Sequence, residues 1–271
     1  MSSEYILEKQ RLALLRIADY WEILHHEPFY FADSFGKDSS VVRDLLIRAK
    51  EMYGVQFDAH HNFTTCDPSQ LVKFGMQHHE DTVIHRPNTS MFALIEKKGV
   101  PPTRMVRYCC DHLKERGGSG RIVVTGIRSE ESASRAKRQI FEHCYTDTTK
   151  KYFHPIMDWT ELDVWRYIEA FNIPVCSLYY THGFTRLGCV MCPKASVRNR
   201  LHEMQVFPKW AKAYLGCFRR ALKIPHPTHK IQYQSEYDML CWYVTGKHLK
   251  SVDNETAMKI MNVGEKQEPH P

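Results

Sequence analysis

The stretch Ser34-Phe35-Gly36-Lys37-Asp38-Ser39-Ser40 lies between a short aromatic run, Phe29 to Ala32, and the helical pattern VVRDLLIRAKEMY, and this junction constrains the fold more than any other feature. Strand, tight loop and helix follow one another. Unpaired backbone N–H groups at a helix start and the positive end of the helix dipole converge there on an anion. Gly36 accepts unusual dihedral angles, Ser34 and Ser39 offer hydroxyls, and Lys37 adds a point charge, so a nucleotide phosphate is the expected ligand. The loop is not of the G-x-x-x-x-G-K-[ST] type, because Phe31 and Asp38 stand where that pattern needs Gly and Ser/Thr. An ordinary strand-to-helix turn with a capping serine is the competing reading. The strand and helix on either side favour nucleotide binding.

Further along, VQFDAHHNFTT reads as a strand, SQLVKFGMQHH as a helix, DTVIHRP as a third strand, and RIVVTGIR at 121–128 as the clearest later one. Alternation of this kind predicts an α/β fold, a parallel sheet with helices on both faces. Thr160 is placed to cap a helix running to Phe171. From about residue 194 the pattern is helical, and Phe207, Trp210, Tyr214 and Phe218 recur at spacings of three and four, as a buried helix face does. The expected organisation is an N-terminal helix (1–26), a nucleotide-binding α/β domain (27–175), a cluster-binding helical region (176–262) and a frayed tail (263–271). With 271 residues and 43% hydrophobic content, the chain can bury a substantial core. No run approaches the roughly 20 apolar residues of a membrane span, and the N-terminus reads as an amphipathic helix without signal-peptide features. A cytoplasmic protein without a membrane partner is expected.

Nine cysteines in a reducing compartment point to metal binding or chemistry rather than to disulfides. Cys109-Cys110 is followed by Cys189-Val190-Met191-Cys192, and the two pairs offer four thiolates, which suit either tetrahedral zinc or an iron-sulfur cluster. Adjacent side chains diverge, so the tandem pair favours two corners of a 4Fe-4S cubane. Cys176 is a competing fifth thiol, and four of these five are the expected ligands. Cys66, Cys144, Cys217 and Cys241 read as ordinary thiols.

The loop resembles the Ser-x-Gly-Lys-Asp-Ser PP-loop of ATP pyrophosphatases, which cleave ATP between the α and β phosphates. Together with Thr64-Thr65-Cys66-Asp67-Pro68, RYCCDHLKE, Gly126-Ile127-Arg128-Ser129-Glu130-Glu131-Ser132-Ala133-Ser134-Arg135, HPIMDWTELDVWRYI and LGCVMCP, it resembles the phosphoadenosine phosphosulfate reductase family. That resemblance implies an adenine-nucleotide α-hydrolase fold, ATP held by Ser34 to Ser40 and Gly126, Mg²⁺ positioned by Asp38, and Arg128, Ser132 and Arg135 as phosphate or sulfate ligands. Lys37, Asp38 and Arg128 become the catalytic candidates, and Lys114 is either turned to the cluster or helix surface. The tandem and C-x-x-C cysteines resemble those of 4Fe-4S adenylylsulfate reductases.

Two departures separate the chain from the sulfonucleotide reductases: it ends VGEKQEPHP rather than in a Glu-Cys-Gly-(Leu/Ile)-His tail, and it keeps Lys-Asp-Ser in the loop. Both point to the branch found in DNA phosphorothioation systems. The implied chemistry is adenylation of an acceptor for replacement by sulfur, with a cysteine desulfurase or another sulfur-transfer protein as partner. Residues 194 to 230 hold Lys194, Arg198, Arg200, Lys209, Lys212, Arg219, Arg220, Lys223 and Lys230 against Glu203 alone, which suits DNA or RNA; a solvated basic helix face is the plainer reading. Reduction of adenylyl sulfate or its 3'-phosphate, and a non-catalytic nucleotide- or nucleic-acid-binding subunit, are the alternative functions.

Overall fold

The computed structural model describes residues 3–115, 117–224 and 232–263. The first two residues of the expected N-terminal helix, Lys230 of the basic run and residues 264–271 of the expected tail lie outside the described residues. In chain order the elements are α1 (Ser3–Ile23), β1 (Phe29–Ala32), α2 (Lys37–Tyr53), β2 (Phe57–Asn62), α3 (Ser69–His78), β3 (Val83–His85), α4 (Met91–Lys98), α5 (Tyr108–Leu113), β4 (Ile122–Val124), β5 (Phe141–His143), β6 (Lys151–Phe153), α6 (Glu161–Ala170), α7 (Leu178–Thr181), α8 (Val197–Val206), α9 (Pro208–Ala221), α10 (Glu236–Thr245) and α11 (Asn254–Met261). They group into two units that interleave along the chain. One comprises residues 1–62, 69–86 and 116–187; the other comprises 63–68, 87–115 and 188–271.

Among the described residues six strands form one sheet, all in the first unit, in the order β3-β2-β1-β4-β6-β5. Every pairing is parallel except β5 with β6. The expected α/β class with a parallel sheet flanked by helices is therefore what the chain forms. Phe29, Phe31, Ile122, Val124 and Phe153 share one hydrophobic core with Ile17 and Trp21 of α1, Leu45 and Leu46 of α2, and Val164 and Tyr167 of α6. Burying a side chain such as Phe31 contributes about 1.5–3 kcal/mol relative to leaving it exposed. The pleat turns Tyr30 to the other face, where its ring stacks on His60 with centroids 4.0 Å apart.

Local signals explain several boundaries. Gly54, with φ 73°, ends α2 in the left-handed conformation that a side chain resists. Thr160 and Asp163 form a reciprocal capping box at the start of α6. One strand departs from the sequence reading: β5 lies in a stretch, 129–150, with no strand pattern. A three-residue edge strand carries almost no periodic signal, and β5 is held by its antiparallel partner and by the Arg138–Glu142 ion pair beside it.

The second unit is helical, with α4, α5 and α8 to α11. Phe207, Tyr214 and Phe218 are buried as expected, while Trp210 is half-buried near Phe92, with ring centroids 6.1 Å apart. Among the described residues no helix is long and apolar enough to cross a membrane.

Candidate functional site

The first βα junction is built on Asp33, a residue the sequence reading passed over. It follows β1 and is almost wholly buried. One carboxylate oxygen accepts the Phe35 N–H at 2.9 Å; the other pairs with His79 Nδ1 at 2.6 Å and accepts the Thr82 hydroxyl at 3.3 Å. Burial pushes the Asp33 carboxyl up, but the hydrogen bond and charge of His79, the Phe35 amide and the charge of Arg43 outweigh it and hold the group below the usual carboxylate range. These contacts fix an unusual backbone. Phe35 has φ 60°, a conformation that costs a non-glycine residue about 1–3 kcal/mol. Its ring stacks on His61 at 4.0 Å and occupies the space a side chain at Gly75 would need: a Cβ there would stand 2.4 Å from the ring. No sequence signal links Asp33 to His79, which lies 46 residues away.

Past Phe35 the chain enters α2 with Gly36 as N-cap in extended conformation. The Ser34 N–H donates to Ser39 Oγ at 3.0 Å and the Gly36 N–H to Ser34 Oγ at 3.4 Å; the Lys37 N–H is taken by the Tyr179 hydroxyl at 3.0 Å. Ser40 Oγ donates to the Gly36 carbonyl at 3.3 Å and lies 3.4 Å from His79 Nε2. The loop thus supplies hydroxyls and amides around one helix start, held by partners distant in sequence.

Lys37 and Asp38 belong to a charged network. Lys37 Nζ lies 2.9 Å from Asp38 Oδ2 and 3.3 Å from Glu161 Oε1, and donates to the Thr185 carbonyl at 3.1 Å. Arg128 Nε meets Asp38 Oδ1 at 2.6 Å, and its other nitrogens reach Glu130 at 3.1 Å and Glu161 at 2.5 Å. Burial works against ionised Asp38, but Lys37 and Arg128 outweigh it and hold its pKa below the ordinary value. Burial likewise opposes the Arg128 cation, and Asp38 and Glu161 outweigh it. Gly126 permits this meeting, because a Cβ there would stand 3.0 Å from the Asp38 carbonyl carbon and oxygen and 3.2 Å from the Ser39 nitrogen. Glu130 and Glu161 join the network although the sequence reading gave neither a role. Glu161 was hidden because its place, just after the capping Thr160, reads as ordinary helix chemistry.

Ser132 and Arg135 lie on the turn after Arg128. The Arg135 N–H donates to Ser132 Oγ at 3.2 Å, and the Arg135 side chain pairs with Glu131. Burial, with the charges of Arg186 and Arg138, pulls Arg135 down to about 10 against the opposing pull of Asp38. A cation held near other cations gains from an anionic ligand.

In the second unit, Cys109 and Cys110 occupy the first turn of α5, and Cys189 and Cys192 close a turn in which the Cys192 N–H donates to the Cys189 carbonyl at 3.2 Å. A hydrogen bond to Cys110, then burial, then the negative charges of Cys110, Cys189 and Cys192, push the Cys109 thiol up. The same hydrogen bond, helped by Lys114 and Arg107, lowers Cys110 against burial and the charge of Glu115. Burial dominates the upward shift of Cys189, and Lys114 opposes it. The charges of the other three thiols act on Cys109, and that of Lys114 acts on Cys110 and Cys189. Among the described residues no three His, Cys, Asp or Glu side chains stand together in metal-binding geometry. Cys176 belongs to the first unit, where burial raises its thiol and the Leu178 amide lowers it.

Thr64 to Asp67 clamp the C-x-x-C turn. The Val190 N–H donates to the Cys66 carbonyl at 2.8 Å, and the Cys189 thiol donates to Thr64 Oγ1 at 3.2 Å. The Tyr214 hydroxyl donates to the Val190 carbonyl at 3.2 Å and lies 3.5 Å from the Cys66 sulfur. Thr65 carries φ 62°, rare for a β-branched residue, and its hydroxyl takes the Met91 N–H at 2.9 Å. Cys66 is thus a buried structural neighbour of Cys189 and Cys192, whose charges, after burial, help raise its thiol.

Residues 28–195, more than half of the chain, match the phosphoadenosine phosphosulfate reductase domain. The uncharacterized protein MJ0973 of Methanocaldococcus jannaschii is 28% identical over 224 residues, which cover 79% of this chain and 53% of that protein. The adenosine 5'-phosphosulfate reductase of Burkholderia cepacia is 35% identical over 96 residues, 33% of this chain and 38% of the enzyme. Sulfate adenylyltransferase subunit 2 of Agrobacterium fabrum is 25% identical over 186 residues, 54% of this chain and 56% of that subunit. The chain spans about half, or less, of the length of these curated relatives. With the loop, the Gly126–Arg135 turn and the parallel sheet in one unit, and with this match over residues 28–195, the chain belongs to the phosphoadenosine phosphosulfate reductase domain family.

Proposed function

We propose that the chain is an ATP pyrophosphatase that adenylates an acceptor for sulfur transfer, and that Cys109, Cys110, Cys189 and Cys192 hold a 4Fe-4S cluster. The observation that carries the first part is the network of Lys37, Asp38, Arg128 and Glu161 at the start of α2. An acceptor oxygen attacks the α-phosphorus of ATP, the bond to the bridging oxygen breaks, and pyrophosphate leaves. Lys37 exchanges its carboxylate partners for phosphate oxygens, and the loop amides and hydroxyls take up the charge that develops on the leaving group. Arg128 and Arg135 hold the remaining phosphate oxygens in place. Asp38, Glu130 and Glu161 are hard oxygen donors suited to Mg²⁺, which when bound would neutralise charge between the phosphates. A sulfur nucleophile delivered by a partner such as a cysteine desulfurase then displaces AMP.

Four thiols in one unit supply the donor types of a thiolate-ligated centre, and binding would have to draw them together, since among the described residues no three stand in metal-binding geometry. A bound cluster would supply redox-active iron and sulfide to that unit; zinc in the same thiolates would supply structure alone. The test is anaerobic purification with iron, sulfide and zinc analysis, followed by product analysis with ATP, Mg²⁺ and candidate acceptors. Pyrophosphate and AMP are expected, and ADP with phosphate as the sole products refutes the reading. A second reading, reduction of a sulfonucleotide, is favoured by the cationic setting of Arg135 and by the reductase relative. Its test is sulfite release from adenylyl sulfate under reducing conditions; none ends it.

A further inference from the structure

Helix α9 turns Ala211, Tyr214, Leu215, Cys217, Phe218 and Ala221 into the core of the second unit. The opposite side carries Lys209, Lys212, Gly216 and Arg219, and Lys223 continues the line just beyond the helix. Spacings of three and four residues put these positions on one stripe, about 15 Å long from Lys209 to Arg219. Not every cation of the basic run is free for a ligand. Arg200 donates to the Tyr243 carbonyl at 2.7 Å, Arg220 pairs with Glu96 at 2.8 Å, and Arg219 pairs with Glu236 at 2.9 Å while remaining more than half exposed. Among the described residues neither Lys209 nor Lys212 holds an ion pair.

A cleft of about 470 Å³ opens along the same stripe, lined by Lys212, Leu215, Gly216 and Arg219 of α9, Tyr237 of α10, Met261 of α11 and Val263. Gly216 keeps its floor low: a Cβ there would meet only the Arg220 guanidinium, 3.6 Å away, so no packing demand explains a glycine that costs this helix about 1 kcal/mol relative to alanine. A row of point charges along a groove with an aromatic wall matches the way sequence-tolerant proteins hold single strands, phosphates on the cations and a base on the ring.

We infer that the α9 stripe and its cleft bind single-stranded nucleic acid. This deepens the adenylation reading by naming the class of the acceptor, and it is tested separately from catalysis. Binding of a fluorescein-labelled oligothymidylate and its RNA counterpart is measured by anisotropy, without ATP, over a range of salt. Three to four phosphate contacts predict a slope of log K against log[salt] of about −2 to −3. Reversing two charges, K209E/K212E, should weaken binding at least tenfold and make the slope shallower by about 1.4. Tyr237→Ala should weaken it by about 5- to 100-fold and leave the slope unchanged. Both variants should melt like the parent and bind ATP with the parent's affinity, so a lost fold cannot imitate a lost site. Unaltered binding by K209E/K212E overturns the inference. So does polyglutamate competing as well as the oligonucleotide while Tyr237→Ala has no effect, the result expected of a surface for an acidic protein. Strand binding without pyrophosphate release would sink the catalytic reading and leave this surface standing.

Discussion

Replacement of Asp33 tests how the loop between β1 and α2 is held. Asp33→Ala leaves the Phe35 amide without its acceptor and His79 without its carboxylate, and takes from Arg43 one of two carboxylates, Asp81 remaining, in a site whose side chain is fully buried. Breaking a buried pair by removing one partner costs about 3–5 kcal/mol. With a urea m-value near 2 kcal/mol per molar, a loss of 4 kcal/mol lowers the unfolding midpoint by about 2 M. Urea titration followed by tryptophan fluorescence reads this, since Trp21 and Trp159 lie buried in the same unit. Asp33→Asn keeps an acceptor for Phe35 and should fall between parent and alanine variant. The pH dependence has a definite sign. Asp33 has a folded pKa below its unfolded value near 4, so its contribution is fully present above about pH 4 and is lost as pH falls through the folded pKa. The stability gap between parent and Asp33→Asn should therefore be present at pH 5 and shrink in stronger acid. A gap under about 0.5 kcal/mol at pH 7, or one that widens on acidification, refutes the account of Asp33 as the anchor of the loop.

Gly126→Ala drives a methyl against the Asp38 carbonyl and should cost about 1–3 kcal/mol of stability, together with a loss of ATP affinity measurable by calorimetry; parent-like affinity would count against the close approach. Thr160→Ala removes one half of the α6 capping box and should lower stability by about 1 kcal/mol in the same urea assay, with pyrophosphate release unchanged. Cys189→Ser should remove most of the iron and the visible absorbance from anaerobically purified protein, while Cys176→Ser should leave both in place; equal loss in the two variants would reject the four-thiol set.

What could be read along the chain was local chemistry. An aromatic run ahead of a glycine-containing loop and an amphipathic stretch is sufficient for strand, turn and helix, and β1 falls on Phe29–Ala32 as read. Thr160 likewise announces its helix through the residues that follow it. The same locality explains why β5 and the role of Asp33 were not legible. Three residues at a sheet edge have no period, and an aspartate after a strand looks the same whether or not a histidine 46 positions on will meet it.

By itself the sequence determined the parallel α/β class, the strand–loop–helix junction at Ser34 to Ser40 and the inventory of thiols, because each rests on neighbours within a few residues. Tertiary structure alone decided that Glu161 joins Lys37 and Arg128, that Gly126 rather than a larger residue must face Asp38, and that Cys66 braces the Cys189–Cys192 turn. Those meetings arise when packing of the apolar core closes long loops. Charges and hydrogen-bond donors far apart along the chain then become the nearest partners left to one another once water is excluded.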